Sequence, residues 1–187
     1  CASCHHPKLG FADGLKRSIG VSGQENLRAA PSLWNMAFLT HFFWDAKATS
    51  LEEQMQGPLF SPVEMASTPQ LLLQRLNDNP EYRRLFAEAF PEQPVVTLDQ
   101  LYLTLAAFQT SLISLNSAYD RYAHGDPNAL DAKELEGFNV FRSFIARCSE
   151  CHTPPLFTNQ QVAVIGVPEP DGRPFDAGAA VPSNNPD

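Results

Sequence analysis

Four cysteines carry the chemistry open to this chain, and they fall into two Cys-x-x-Cys pairs. Each pair is followed at once by a histidine: Cys1-Ala-Ser-Cys4-His5 and Cys148-Ser-Glu-Cys151-His152. Two thiols at this spacing reach the two vinyl groups on one edge of a porphyrin, and the next residue turns its imidazole to the iron. The pattern is that of covalent c-type haem attachment, with His5 and His152 as proximal ligands. A zinc site would want its second pair about 15–20 residues on, whereas here it lies about 145 residues on. A thioredoxin-like redox pair has no need of the following histidine, which occurs twice. Disulfides across such short loops would be strained and would leave both histidines without a purpose. Two covalently bound haem c groups are therefore expected. Thioether attachment is assembled outside the cytoplasm, so the expected compartment is the bacterial periplasm.

The elements that must hold these motifs are helices and loops. The chain has 187 residues, 43% hydrophobic and 18% charged, as a globular protein should. Its formal charge of −8 argues against nucleic acid or an anionic membrane as partner. No apolar run is long enough to suggest a membrane span. Residues 7–46 are rich in Gly, Ser, Pro and aromatics, without periodicity, and read as a long loop wrapped on a flat apolar group. Ser50 caps a short helix to Gln56, which Gly57-Pro58 ends. Residues 58–66 form a second loop. Thr68 with Pro69 opens a helix to about Asn77, and Pro80–Phe90 is another. Thr97 with Gln100 makes a capping box for a helix to about Leu115. Asp131 caps a helix that carries Leu135, Phe138, Phe141 and Ile145 to Cys148. A Pro- and Gly-rich tail runs from Pro154 to Asp187, and no strand is expected. The fold class is all-α, with two c-type cytochrome domains and long loops, over 1–116 and 117–187. Only 35 residues follow His152, and the first residue lies inside a motif. The sequence is expected to be a piece at both ends, with an incomplete second domain.

Five stretches carry a resemblance. They are Cys-Ala-Ser-Cys-His-His-Pro-Lys-Leu-Gly-Phe-Ala-Asp-Gly (1–14), Arg-Ala-Ala-Pro-Ser-Leu-Trp-Asn (28–35), Phe-Phe-Trp-Asp-Ala-Lys-Ala-Thr-Ser-Leu-Glu-Glu-Gln (42–54), Gly-Pro-Leu-Phe-Ser-Pro-Val-Glu-Met (57–65) and Cys-Ser-Glu-Cys-His-Thr-Pro-Pro-Leu-Phe-Thr (148–158). Over nearly its whole length the chain resembles the bacterial di-haem cytochrome c peroxidases and their MauG-type relatives. The resemblance implies that the His5 haem meets hydrogen peroxide and that the His152 haem relays electrons. It implies that Trp44 matches the tryptophan between the haems, and that Gln54, Pro58 and Glu64 match the distal pocket. Peroxide cleavage needs a group that takes a proton from the near oxygen and gives it to the departing one. Glu64, in an apolar loop between Val63 and Met65, suits that task; read from composition alone it is a solvated glutamate. Gln54 would orient peroxide, or it is a polar helix face. Pro58 walls a pocket or simply stops a helix. Trp44 offers an indole for electron hopping, or it packs with Phe42 and Phe43 as a buried aromatic. Lys47 pairs with a propionate or is solvated. His6, His41 and His124 read as ordinary hydrogen-bonded histidines. Met36, Met55 and Met65 read as core filling.

Two departures from the family pattern matter. Many members carry a distal histidine that blocks the peroxide haem, and that position falls here at Val21. No His, Met or Tyr occurs between His6 and Pro31. The family's usual asparagine for a calcium ion is replaced by Ala29, with Asn26 nearby, so calcium is left open. The expected function is a periplasmic oxidoreductase activating hydrogen peroxide, leaning to MauG-like oxidation of an aromatic residue on a partner protein. The alternatives are a peroxidase fed by a small cytochrome or cupredoxin, and a di-haem electron carrier without peroxide chemistry. The Val21 departure makes a prediction: in the fully oxidised protein the His5 haem is high-spin, five-coordinate or holding only water. EPR checks it, and a low-spin six-coordinate N-terminal haem overturns it.

Overall fold

The computed structural model describes residues 1–163 and Gly178. Among the described residues, seven α-helices run in order: α1 Leu51–Gln54, α2 Gln56–Phe60, α3 Pro69–Asp78, α4 Pro80–Ala89, α5 Leu98–Ser111, α6 Ala118–Ala123 and α7 Ala132–Phe141. Short 3-10 turns cover Pro7–Leu9, Met36–Phe38 and Cys148–Glu150. No strand forms among the described residues, and the class is all-α. The chain divides into two compact units, one holding Cys1–Leu112 and the other beginning at Ile113. The tail at 182–187 lies outside the described residues.

Capping chemistry sets most helix starts. Ser50 accepts from the Glu53 N–H, and Thr68 accepts from the Leu71 N–H with Pro69 at the first helical position. Thr97 and Gln100 form the expected capping box of α5. Ser117 and Asp120 form another at α6, a helix the sequence reading passed over. The Ser117 hydroxyl and backbone N–H hold the Asp120 carboxyl below its ordinary range. Three boundaries differ from expectation. Gly57-Pro58 does not end a helix; it sits inside α2, where Pro58 occupies the first turn and needs no N–H partner. Helix α5 stops at Ser111 rather than Leu115. Helix α7 stops at Phe141, so Phe144 and Ile145 lie beyond it, 86% and 94% exposed.

Helix α5 is the spine of the first unit. Tyr102 and Ala106 close a cluster with Phe42, Ala48, Leu51, Met55 and Leu59. Leu101 closes a second cluster with Leu76, Phe86 and Val96. Each large apolar side chain so buried contributes roughly 1.5–3 kcal/mol. Met36 and Met65 pack against the first cluster, so all three methionines fill core.

The long aperiodic segment is ordered by pinches rather than by helices. Isolated antiparallel bridges pair His6 with Ala12, Ile19 with Glu25 and Phe42 with Ala48, each closing a seven-residue loop. The third is anchored deepest, because Phe42 and Ala48 are both core residues, 7% and 1% exposed. In the second unit Tyr119, Phe138, Phe141 and Phe157 form an aromatic cluster with centroids 4.9–6.4 Å apart.

One polar side chain ties α3 to the turn before α5. The Asn77 amide accepts from the Val96 N–H at 3.1 Å and donates to the Val96 carbonyl at 3.1 Å. Val96 is 2% exposed, so its backbone has no water to fall back on. Asn77→Ala is expected to destabilise the first unit by about 1–3 kcal/mol, read by thermal or denaturant unfolding of the holoprotein.

Candidate haem-binding site

Both histidines of the haem motifs are held the same way. A single turn follows each first cysteine: the His5 N–H donates to the Cys1 carbonyl at 2.8 Å and the His152 N–H to the Cys148 carbonyl at 2.9 Å. Each ring is then fixed through Nδ1, which lies 2.9 Å from the Phe11 carbonyl for His5 and 3.1 Å from the Phe157 carbonyl for His152. A carbonyl only accepts, so Nδ1 carries the proton and Nε2 keeps its lone pair free. That is the tautomer an iron ligand requires.

The two carbonyls are aimed by the same backbone device. Phe11 and Phe157 both adopt the left-handed conformation, with φ of 57° and 56°. A bulky residue stays there only when its surroundings hold it. Phe11 packs edge-on to Trp34 at 5.3 Å and to Phe108 at 6.4 Å. Phe157 packs against Tyr119 and Phe141. These two phenylalanines are site residues that the sequence reading missed. Their signal was present: His-x-Pro-x-Leu and then Phe follows both motifs, with Gly10 as one inserted residue in the first.

The other three histidines have local partners. His6 accepts from the Lys8 N–H, His41 Nδ1 pairs with the Thr40 hydroxyl, and His124 Nδ1 pairs with the Asp120 carbonyl. None of the four cysteines is paired in a disulfide.

The residues present fit a haem. The buried clusters around α5 lie in the first unit. Large apolar side chains instead stand exposed in sequence beside each motif: Leu9, Leu15, Ile19 and Val21 in the first unit, Phe144 and Ile145 in the second. A flat apolar ring system, tethered by Cys1 and Cys4 or by Cys148 and Cys151, is the group such surfaces would cover. Among the described residues, no group of three or more His, Cys, Asp or Glu side chains is gathered to hold a metal ion.

The loop at 18–26 links the first motif to the turn bearing Glu64. The Cys4 thiol lies 3.9 Å from the Ile19 carbonyl, and the Val21 N–H donates to the Glu64 carbonyl at 2.8 Å. Gly20 permits the approach, since a Cβ there would stand 1.8 Å from the Val63 carbonyl oxygen. Val21 is 69% exposed and offers no ligating atom. Glu64 is half-buried. The same turn is tied to α2 by the Met65 N–H, which donates to the Pro58 carbonyl at 3.1 Å. Gln54 ends α1, one residue before α2. Glu64, Pro58 and Gln54 thus belong to one continuous, cross-tied segment.

Trp44 sits on the third pinched loop, next to Phe43, whose ring lies against Gly57 of that segment. It is 60% exposed, and its indole N–H donates to the Ala29 carbonyl at 3.0 Å. The reading of residues 42–44 as three buried aromatics is corrected: only Phe42 is buried. The loop alternates, with Phe42 in the core and Phe43 bent back at φ 67° against Gly57. Lys47 lies 4.3 Å over the Phe43 ring and 3.9 Å from Asp45.

Known proteins share this sequence and fold. The profile of the family described as "Di-haem cytochrome c peroxidase" matches residues 1–128. The chain is 36% identical over 180 residues to a cytochrome c551 peroxidase of Pseudomonas aeruginosa, covering 95% of this chain and 51% of that protein. It is 37% identical over 167 residues to the methylamine utilization protein MauG of Methylorubrum extorquens, covering 89% and 47%. It therefore spans about half the length of the curated relatives it matches. Among solved structures it resembles the diheme peroxidase BthA of Burkholderia thailandensis, with TM-score 0.84 and 26% identity over 98% of this chain and 55% of that one. A MauG-like protein associated with microbial copper homeostasis matches with TM-score 0.82 and 27% identity, over 100% and 59%. By sequence and by fold, the chain belongs to the di-haem cytochrome c peroxidase family.

Proposed function

We propose that the chain forms the peroxide-activating part of a periplasmic di-haem oxidoreductase. The groups that would hold the haems are Cys1, Cys4 and His5 in the first unit and Cys148, Cys151 and His152 in the second. A bound haem would supply an iron site for peroxide and would hold the two oxidising equivalents that peroxide delivers. The observation that carries the reading is the pair of matched histidine clasps. Each leaves Nε2 unprotonated and aimed by a fixed ring.

In this reading Glu64 moves the protons. Reducing hydrogen peroxide consumes two electrons and two protons and releases two waters. A carboxylate that takes a proton from one oxygen and returns it to the other lowers the cost of breaking the bond. The Val21–Glu64 hydrogen bond supports the assignment, because it ties the carboxylate's turn to the loop that touches Cys4. Gln54 orients peroxide and Pro58 shapes the segment. Trp44 passes electrons between the sites around His5 and His152. No His, Met or Tyr between His6 and Pro31 supplies a blocking ligand, and in this reading the protein accepts peroxide without prior reduction. This favours a MauG-like enzyme that oxidises an aromatic residue of a partner protein. The relative named cytochrome c551 peroxidase favours a second reading, in which a small cytochrome or cupredoxin supplies electrons. No helix among the described residues is long and apolar enough to cross a membrane.

Glu64→Gln keeps the shape and removes the proton carrier. It is expected to slow the reaction of the holoprotein with peroxide about 100-fold or more, read by stopped-flow absorbance. An unchanged rate would leave only the electron-carrier reading. Reduced cytochrome supplied as donor separates the two enzyme readings. Slow turnover fits oxidation of a protein partner, and rapid turnover fits the peroxidase.

A further inference from the structure

Trp44 is fastened by two consecutive cross-links to one short stretch of chain. Its indole N–H donates to the Ala29 carbonyl at 3.0 Å, and the neighbouring Asp45 Oδ2 pairs with Arg28 Nη1, also at 3.0 Å. Residues 28 and 29 thus grip residues 45 and 44 rung by rung. The ion pair is well sheltered, with the Asp45 side chain 11% exposed and that of Arg28 26%. Asp45 Oδ1 is buried with no hydrogen-bond partner. A sheltered carboxylate in this position is costly unless its cation stays in place. Lys47 is the second cation, but at 3.9 Å and half over the Phe43 ring its contact is weaker. The family's expected chemistry uses Trp44; nothing in it so far uses Arg28 or Asp45.

We propose that the Arg28–Asp45 ion pair is a positioning device for Trp44. It holds the 42–48 loop so that the indole keeps its Ala29 hydrogen bond while its face remains exposed. Two features make the loop depend on it. Phe43 and Ala46, on either side of the Trp44–Asp45 pair, both take the left-handed conformation, at φ 67° and 55°. Neither is glycine, so the surroundings must hold the backbone there. The bridge between Phe42 and Ala48 fixes only the base of the loop. The tip is held by the two rungs. The Ala29 carbonyl is also a poor proton acceptor. An indole that gives up one electron there keeps its Nε1 proton and regains one electron from its donor, with no proton exchanged.

The inference rests on the proposed role of Trp44, and a double-mutant cycle tests the two apart. The full-length di-haem holoprotein receives one equivalent of hydrogen peroxide in a stopped-flow cell. The response of the His5 haem and the later response of the His152 haem are followed separately. Asp45→Asn is expected to leave the first phase unchanged and to slow the second about tenfold or more. On a Trp44→Phe background, Asp45→Asn should add nothing. A second readout needs no turnover: the ultraviolet resonance Raman band that reports indole N–H hydrogen bonding, taken as the difference from Trp44→Phe. It should shift toward a weaker bond in Asp45→Asn. Arg28→Lys, which keeps the cation but loses the fork, should give an intermediate change in both. If Asp45→Asn does not fold, Arg28→Lys decides alone. Equal slowing by Asp45→Asn with and without Trp44, or an unmoved indole band, overturns the inference. If Trp44→Phe itself leaves the second phase unchanged, the proposed role of Trp44 fails instead.

Discussion

An imidazole binds iron well only when it presents an unprotonated nitrogen in a fixed direction, and a backbone carbonyl on the far side of the ring supplies both conditions. In this chain the Phe11 and Phe157 carbonyls do so for His5 and His152. Much of the local structure exists to keep those carbonyls where they are. The left-handed turn at each phenylalanine points the carbonyl back at the histidine, and the aromatic neighbours hold the turn. Trp34 and Phe108 serve in the first unit, Tyr119 and Phe141 in the second. Helix α5 therefore has two tasks. Its inner face builds both hydrophobic clusters, and Phe108 braces the residue that orients His5.

A bound haem would cover much of the apolar surface that stands exposed beside each motif. A haem has two apolar faces and demands side chains that a soluble surface would otherwise avoid. Ile145 and Phe144, beside the second motif, are the extreme case. Burying such groups against a tethered ring couples binding to stability, because the folded state gains what the unfolded chain cannot. Loops suit this work better than helices. A loop pinched at its base can lay successive side chains along a flat partner, whereas a helix offers one side chain per turn to any line.

Helix caps and covalent motifs were legible in the sequence because their physics is local. Ser50, Thr68, Thr97 and Asp131 each bond within three residues, so a reader needs only the neighbouring letters. The Cys-x-x-Cys-His spacing is local in the same sense. What escaped was not spelled out by the neighbouring letters. Pro58 looks like a stop signal, yet the turn at Met55 restarts a helix in which a first-turn proline costs nothing. Helix α7 stops at Phe141 although Ile145 continues the apolar spacing, and apolar spacing alone does not fix where a helix ends. Trp44 was read with Phe42 and Phe43 as one buried run. The bend at Phe43 separates them, and its ring lies against Gly57, fourteen residues on, where any side chain would collide. The matched Phe11 and Phe157 were visible as a repeat, but their meaning depends on a backbone conformation that no residue pattern spells out.

The exposure of Trp44 is informative when set against the way the rest of its loop is held. Proteins bury tryptophan when they want its area, and they give its N–H a partner when they want it still. This loop does the second without the first. Its base is in the core, its tip carries a sheltered ion pair, and the indole N–H is bonded, yet most of the ring remains uncovered. Val21 is likewise held firmly, through Gly20 and the Glu64 carbonyl, at a place where it offers no atom to an iron. The hydrogen bond from the Val21 N–H to the Glu64 carbonyl ties this loop to the turn that carries Glu64, so the two move as one piece.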